Sequence, residues 1–339
     1  MKVLTFGELL LRLSAVGYDK LFQSDYLKAS FCGSEANVAV SLANYGIISK
    51  FVTKLPNTDI GKAAIRTLDY FNVDTSSILF GDGRMGVYYL EKGVSQRPSK
   101  VIYDRSNSVF ALSCADDYQW DTLFEGVDWF HWSGIDPAVS NNVSHIVEEA
   151  LKKANEKGII VSCDLNYRKK LWSSEHAQKA MKKMMRYVDV CIANEEDVQL
   201  SLGIKVDNND VNDALLNIES YKKAANEISK NYGCKYVAFT LRESFSASKN
   251  GWAGALYHNG NFALSKKYEI LLVDRVGGGD SFAAGLIYAL INKMDDKDAI
   301  NFAVAASCLK QTIEGDFNRV SVEDVFSLMN DGGSGRVIR

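Results

Sequence analysis

The chain is poor in proline, with three residues in 339, and has no Pro-, Ser- or Gly-rich tract long enough to act as a tether. This excludes extended polyproline architectures and gives no sign of domains strung on a linker. Histidine is scarce too, at four, and the six cysteines (Cys32, Cys114, Cys163, Cys191, Cys234, Cys308) are scattered with no CxxC pair and no histidines clustered beside them. Buried apolar thiols in a reducing compartment are expected, not zinc ligands or a disulfide framework. Neither sign of charge dominates: 39 Lys and Arg against 42 Asp and Glu leave a net charge of −3. Without a basic field, nucleic-acid binding is not expected, and an anionic ligand must be held locally by arginines or backbone N–H groups. No apolar run is long enough to cross a bilayer, and the opening MKVLTFGELLLRLS carries Glu8 and Arg12 inside its apolar stretch, unlike a secretory signal. A cytoplasmic protein without a membrane partner is expected.

The sequence is rich in alternation. Short β-rich runs (KVLTFG, KFVTKL, VDWFHWSG, GIIVSCD, VDVCIAN, KYVAFTL) are separated by amphipathic stretches near 34–46, 58–71, 139–157, 175–186 and 211–231. That order predicts an α/β fold with a doubly wound, mostly parallel sheet. Two regions break the rhythm. Residues 9–30 and 84–112 hold strand-like pairs (LLLRLSA with DYLKASF, GVYYLEK with SKVIYDR) with no helix between the members of a pair. They predict a small β-sheet lid inserted into a core formed by 1–8, 31–83 and 113–330, with 331–339 as a loose tail.

Ligands of such sheets bind beyond the carboxyl ends of the strands, and DRVGGGDSFAAG (274–285) is a turn of that kind. Phe282, Leu286 and Leu290 fall four apart after Gly279, marking a helix with Asp280 and Ser281 in its first turn. N–H groups of Gly277, Gly278 and Gly279 at a helix start suit a phosphate. Asp280 then has two readings: an N-terminal capping carboxylate, or a base that takes a proton from an attacking hydroxyl. The spacing matches neither G-x-x-x-x-G-K-[ST] nor G-x-G-x-x-G.

DRVGGGDSF resembles the C-terminal signature D-T-x-G-A-G-D-[SA]-F of the ribokinase-like (PfkB) carbohydrate kinases, with Arg275 for Thr and Gly278 for Ala. CGSEANVA (32–39) resembles their N-terminal G-G-[SA]-x-x-N-V-A, with Cys32 for the first glycine. The resemblance covers nearly the whole chain and implies Asp280 as catalytic base, the 277–279 backbone as the anion hole, and ATP with Mg²⁺ as cofactors. It also implies that CIANEED (191–197) is the family's N-x-x-E motif, placing Asn194 and Asp197 in water-mediated contact with Mg²⁺ and giving no direct metal ligand. Asp197 replaces the usual Glu, and a plain helix start stays open. CDLNYRKKLW (163–172) resembles a D-x-N-x-R segment, so Asp164 and Asn166 would face the site and Arg168 would meet anionic groups. Where the family carries K-x-G-x-x-G, this chain has TLRESFSASKNG (240–251), in which Arg242 keeps a basic group near the nucleotide.

MGVYYLEKG and VIYDRSN resemble the family members that phosphorylate 2-keto-3-deoxygluconate, which implies Tyr88, Tyr103 and Arg105 as lid contacts to a sugar acid. A neutral sugar has no use for a guanidinium, whereas a carboxylate accepts two parallel N–H bonds from one. Gly33, Ser34 and Asn37 would complete the sugar site, with Asp316 as a further hydroxyl contact. The expected function is therefore ATP-dependent phosphorylation of the terminal hydroxyl of 2-keto-3-deoxygluconate. Fructose or another neutral sugar is the alternative, ahead of a non-catalytic sugar sensor or a dinucleotide-dependent oxidoreductase. Apolar lid positions Val87, Tyr89 and Leu90 on an uncovered sheet predict a homodimer through the lids.

Overall fold

The computed structural model describes residues 1–206 and 218–331. Its strands are β1 (Lys2–Phe6), β2 (Leu10–Ser14), β3 (Lys28–Cys32), β4 (Ile48–Val52), β5 (Lys54–Pro56), β6 (Leu79–Gly81), β7 (Val87–Glu91), β8 (Lys100–Asp104), β9 (Trp129–Ser133), β10 (Ile160–Asp164), β11 (Val190–Ala193), β12 (Tyr236–Ser244), β13 (Lys249–His258), β14 (Asn261–Leu264) and β15 (Tyr268–Leu271). The helices are α1 (Ser34–Asn44), α2 (Asp59–Tyr70), α3 (Trp120–Leu123), α4 (Asp136–Val139), α5 (Asn141–Glu156), α6 (Ser174–Met184), α7 (Glu195–Leu202), α8 (Ile218–Tyr232), α9 (Gly278–Ile291), α10 (Asp296–Lys310) and α11 (Val322–Asp331).

In the large sheet β4, β1, β9, β10, β11 and β12 run parallel in that order. Strand β13 then turns back antiparallel, carrying β14 and β15. Both faces are covered, so the strands are buried almost throughout, and their few polar residues, such as Thr5, His131 and Ser162, are buried with them. Along β9, Phe130 and Trp132 enter one core with Ile146 and Leu151, while Trp129 enters the other with Val38, Phe282 and Leu286. Helix α9 is buried on nearly every side, as its apolar sequence requires. It packs against α10 so closely that a Cβ on Gly285 would lie 2.9 Å from Ala303 Cα. A larger residue there would push the helices apart and move the turn that α9 carries.

The four strands outside this rhythm form one small sheet in the order β3, β2, β7, β8. Leu10, Cys32, Tyr88 and Leu90 make its buried inner face. Leu11, Leu13, Val87 and Tyr89 lie half-covered on the outer face. Leu90 was expected on the outer face with Val87 and Tyr89; it is 1% exposed, because alternation along β7 puts it beside Tyr88. Of the contacts that hold the sheet to the rest, two differ most in burial. On β2, Arg12 is 2% exposed and pairs with Asp274 at 2.7 Å and Asp316 at 2.6 Å. At the tip beyond β7, the Ser95 N–H donates to Ser248 Oγ at 2.9 Å, and the Ala247 N–H donates to the Ser95 carbonyl at 2.8 Å.

The stretch 240–251, which stands in place of the family's K-x-G-x-x-G, forms the end of β12, the turn 245–248 and the start of β13, the strands in register from Tyr236↔His258 to Ser244↔Asn250. Val237, Phe239 and Leu241 seat the first part of β12 in the core, and Arg242, Glu243 and Ser244 extend it toward the surface through pairing with β13. Of the helix expected over 211–231, the part at 211–217 lies outside the described residues, as does the tail from 332. All six cysteines are free; Cys114, expected to be buried, is exposed, while the other five are buried. Among the described residues, no helix is long and apolar enough to cross a membrane.

Candidate active site

Beyond the carboxyl ends of β10 and β11, under the small sheet, lies a cleft of about 420 Å³. Its floor is the start of α9. Gly277 precedes the helix at φ 80°, the left-handed region, and a Cβ there would also meet the Asp316 carbonyl at 2.2 Å, so the position admits no side chain on either count. Helix geometry leaves the first N–H groups of α9 without intrahelical acceptors, facing the cleft with the positive end of the dipole. One of the three expected glycine donors differs: Gly278 N–H turns toward the Arg275 carbonyl at 3.3 Å. Helix α10 secures the turn from behind. The ammonium of Lys310, 0% exposed, donates to the carbonyls of Asp274 and Val276, and Ser307 Oγ donates to the Gly278 carbonyl at 2.6 Å.

Asp280 does not cap its own helix; no side chain closes the N-terminus of α9. Its carboxylate faces the start of α1 instead, accepting from Ser34 Oγ at 2.7 Å and from the Asn37 amide at 2.6 Å. Ser34 is steadied in turn by the Asn166 amide at 3.2 Å, and Asn166 adopts a left-handed φ of 40° in the turn after β10. Ser34 and Asn37, expected as sugar contacts, thus donate to the carboxylate. Burial raises the Asp280 pKa, against the lowering influence of Asn37, Ser34 and Arg168. A carboxylate has lone pairs beyond the two used here, so Asp280 can still accept from a hydroxyl in the cleft.

Asn194 and Asp197 both line the cleft, but their side chains also close the N-terminus of α7 as a capping box. Asp197 accepts from the Tyr167 N–H at 2.9 Å as well, and burial pushes its pKa up to about 6. The helix-start reading of NEED therefore holds for these side chains. Asp164 faces the same space, and burial, reinforced by Asp197 and Asp280, raises its pKa well above the carboxylate range. Among the described residues no three His, Cys, Asp or Glu side chains are grouped to ligate a metal directly, so a hard divalent cation here would be reached through water. Arg168 is half-buried at the cleft wall, its guanidinium donating to the Tyr167 carbonyl at 3.1 Å. Arg242 lies exposed on β12 at the far end.

On the lid side the expected contacts are present with their hydrogen-bonding capacity partly used. The Tyr88 hydroxyl donates to Asp316 at 2.9 Å, and Asp316 also binds Arg12, so it is a buried hub at the cleft wall, with lone pairs left to accept from a hydroxyl. Tyr103 lies opposite Tyr88 across the strands, ring centroids 5.9 Å apart, and is 36% exposed. Arg105 is 8% exposed and pairs with Glu8 through its Nε and Nη2 atoms. Glu8 thus neutralises the expected carboxylate contact and occupies its side-on edge; the end-on edge of Nη1 and Nη2 remains.

Sequence reasoning missed Glu8, Glu35, Arg12 and Lys310 as parts of this site. Glu35 is 2% exposed in the first turn of α1; burial pushes its pKa up to about 7, and neighbouring Asp136 is raised further by burial and by Glu35. A signal for Arg12 was present: in LLLRLS it falls on the same inward alternation as Leu10 and Ser14. Lys310 similarly follows the mostly apolar stretch FAVAASCL of α10.

A glycine turn opening a buried helix, a carboxylate aimed across it and a small sheet overhead define a site for phosphoryl transfer. The chain belongs to the pfkB family of carbohydrate kinases, whose model matches residues 1–318. Among solved structures it resembles 2-dehydro-3-deoxygluconokinase from Thermotoga maritima, 49% identical over 97% of this chain and 99% of that one, with a TM-score of 0.94. A PfkB family carbohydrate kinase from Listeria grayi is 32% identical over 97% and 99% of the two chains, with a TM-score of 0.90. The 2-dehydro-3-deoxygalactonokinase of Haloferax volcanii is 29% identical over 98% of each chain.

Proposed function

We propose that this carbohydrate kinase transfers the γ-phosphoryl group of ATP to the terminal hydroxyl of 2-keto-3-deoxygluconate (2-dehydro-3-deoxygluconate). The observation that carries the chemistry is Asp280, held through both oxygens by Ser34 and Asn37 beside the free N–H groups of α9. Asp280 accepts the proton of the attacking hydroxyl, and the Gly277 and Gly279 backbone with Arg168 meets the charge on the transferred oxygens. Mg²⁺, when bound, would neutralise phosphate charge, and Asp164, Asn194 and Asp197 would hold it through water. The small sheet excludes water from the acceptor. Two things favour a sugar acid: the free end-on edge of Arg105, and the 49% identity to a protein named for that substrate.

The half-covered outer face of Leu11, Leu13, Val87 and Tyr89 supports the homodimer through the small sheets. Sedimentation at micromolar concentration tests it, a monomer being the contrary result.

The substrate is tested by steady-state kinetics on 2-keto-3-deoxygluconate, its galacto epimer and fructose. The sugar acids should exceed fructose in kcat/KM by about ten- to a hundredfold, as expected from one charge-assisted bond in a partly closed site. Fructose turned over equally well would sink the sugar-acid reading and leave the kinase standing.

A further inference from the structure

Two arginines in the cleft have no counter-charge. Arg275 and Arg242 both line it with Gly277 and Gly279, and neither side chain has a hydrogen bond or ion pair among the described residues. Arg275 is half-buried, whereas a lone surface arginine would be solvated. Burial, then the neighbouring Arg242, lowers its pKa to about 10, so it stays charged at neutral pH. Leaving a guanidinium partly desolvated beside a like charge is unfavourable unless an anion arrives. The chain offers 42 acidic residues, yet none is placed on this pair among the described residues.

The turn after β12 has no N–H groups to spare for phosphate. Phe245 and Ser246 donate to the Lys249 carbonyl at 3.1 Å each, Ala247 to Ser95 at 2.8 Å and Ser248 to Ser246 Oγ at 3.2 Å. Meanwhile Arg275 stands on a rigid base, two residues before Gly277, because Val276 N–H is bound by Asp274 at 3.2 Å and Lys310 holds the carbonyls on either side.

We propose that Arg275 and Arg242 form a two-guanidinium clamp on the polyphosphate of the nucleotide donor, doing with side chains what the hairpin backbone cannot. The clamp rests on the kinase reading but not on the identity of the sugar. Each guanidinium offers a planar fork matched to phosphate oxygens. It also balances the carboxylates of Asp164, Asp197 and Asp280 across the cleft, which alone would repel the donor.

The test is equilibrium titration without sugar, using ATP, AMP and inorganic tripolyphosphate against wild type, Arg242→Gln, Arg275→Thr and the double variant. ATP and tripolyphosphate should bind the double variant about ten- to a hundredfold more weakly, as expected for charge-assisted bonds, with AMP changed less than about twofold. ATP affinity within about twofold of wild type, or equal losses for AMP, would overturn the clamp. Should Arg275→Thr fail to fold, exposed Arg242→Gln and the charge-keeping Arg275→Lys give the same ATP-against-AMP comparison. If no sugar acid is phosphorylated while this pattern appears, the substrate reading falls and the clamp stands.

Discussion

The Asn37 side-chain amide donates to Asp280 across 2.6 Å, joining the first turns of two helices 243 residues apart. That bond and its Ser34 counterpart hold the carboxylate away from its own helix end and toward the cleft. Asp280→Asn preserves the shape and should leave folding and ATP binding near wild type while lowering kcat by about two orders of magnitude or more. A variant within a few-fold of wild type in single-turnover assays would remove Asp280 as the base.

The same bond favours the ionised carboxylate, opposing the burial that raises its pKa. Losing it should raise that pKa further, so Asn37→Ala should shift the acidic limb of the kcat/KM profile upward. Ser34→Ala should move it in the same direction. A limb that stays in place in both variants would mean another group titrates.

Lys310→Met tests the support behind the glycine turn. Two carbonyls would lose a buried donor, and the turn would lose the cation that fixes it. Destabilisation of about 2–4 kcal/mol is expected by denaturant unfolding, with kcat falling more than the KM for sugar. Unchanged stability would show that the carbonyls find other partners.

Glu35 makes stability depend on pH in a defined direction. Its folded pKa is raised to about 7, so the native state holds a proton that the unfolded chain has released by then. Stability therefore falls as pH rises from the ordinary glutamate range through about 7, and Asp136 acts in the same sense. Glu35→Gln should match wild type near pH 5 and exceed it by about 1–3 kcal/mol at pH 8. Parallel pH–stability curves for the two proteins would contradict this.

The layered sheet could be read from local pattern because periodicity is local: runs such as GIIVSCD need no distant partner to look like buried strands. The small sheet was legible for the same reason, from four strand-like runs without intervening helices. The turn at 274–280 was legible because bare backbone requires glycine. What stayed hidden was pairing across the chain. Arg12 meets Asp274 and Asp316 at separations of 262 and 304 residues, and Glu8 meets Arg105 at 97. No spacing rule announces that an arginine facing the cleft is already answered by a carboxylate from the first turn of the chain. Asn194 and Asp197 show the converse, since the local capping pattern in NEED described their hydrogen bonds correctly.

The small sheet is fastened unequally along its length. On the β2 side, freeing Arg12 would strand buried carboxylates at about 3–5 kcal/mol, whereas the Ser95 tip is held by two exposed hydrogen bonds worth about 1 kcal/mol each. The Ser95 tip is therefore the part that opens most readily, while β2, β7 through the Tyr88–Asp316 bond and the end of β8 through the Arg105–Glu8 pair stay seated. Fraying confined to that tip would open the cleft beside the β12–β13 hairpin without lifting the whole sheet. The reach of such an opening, and not the pocket inside, would then limit the size of the molecule that enters.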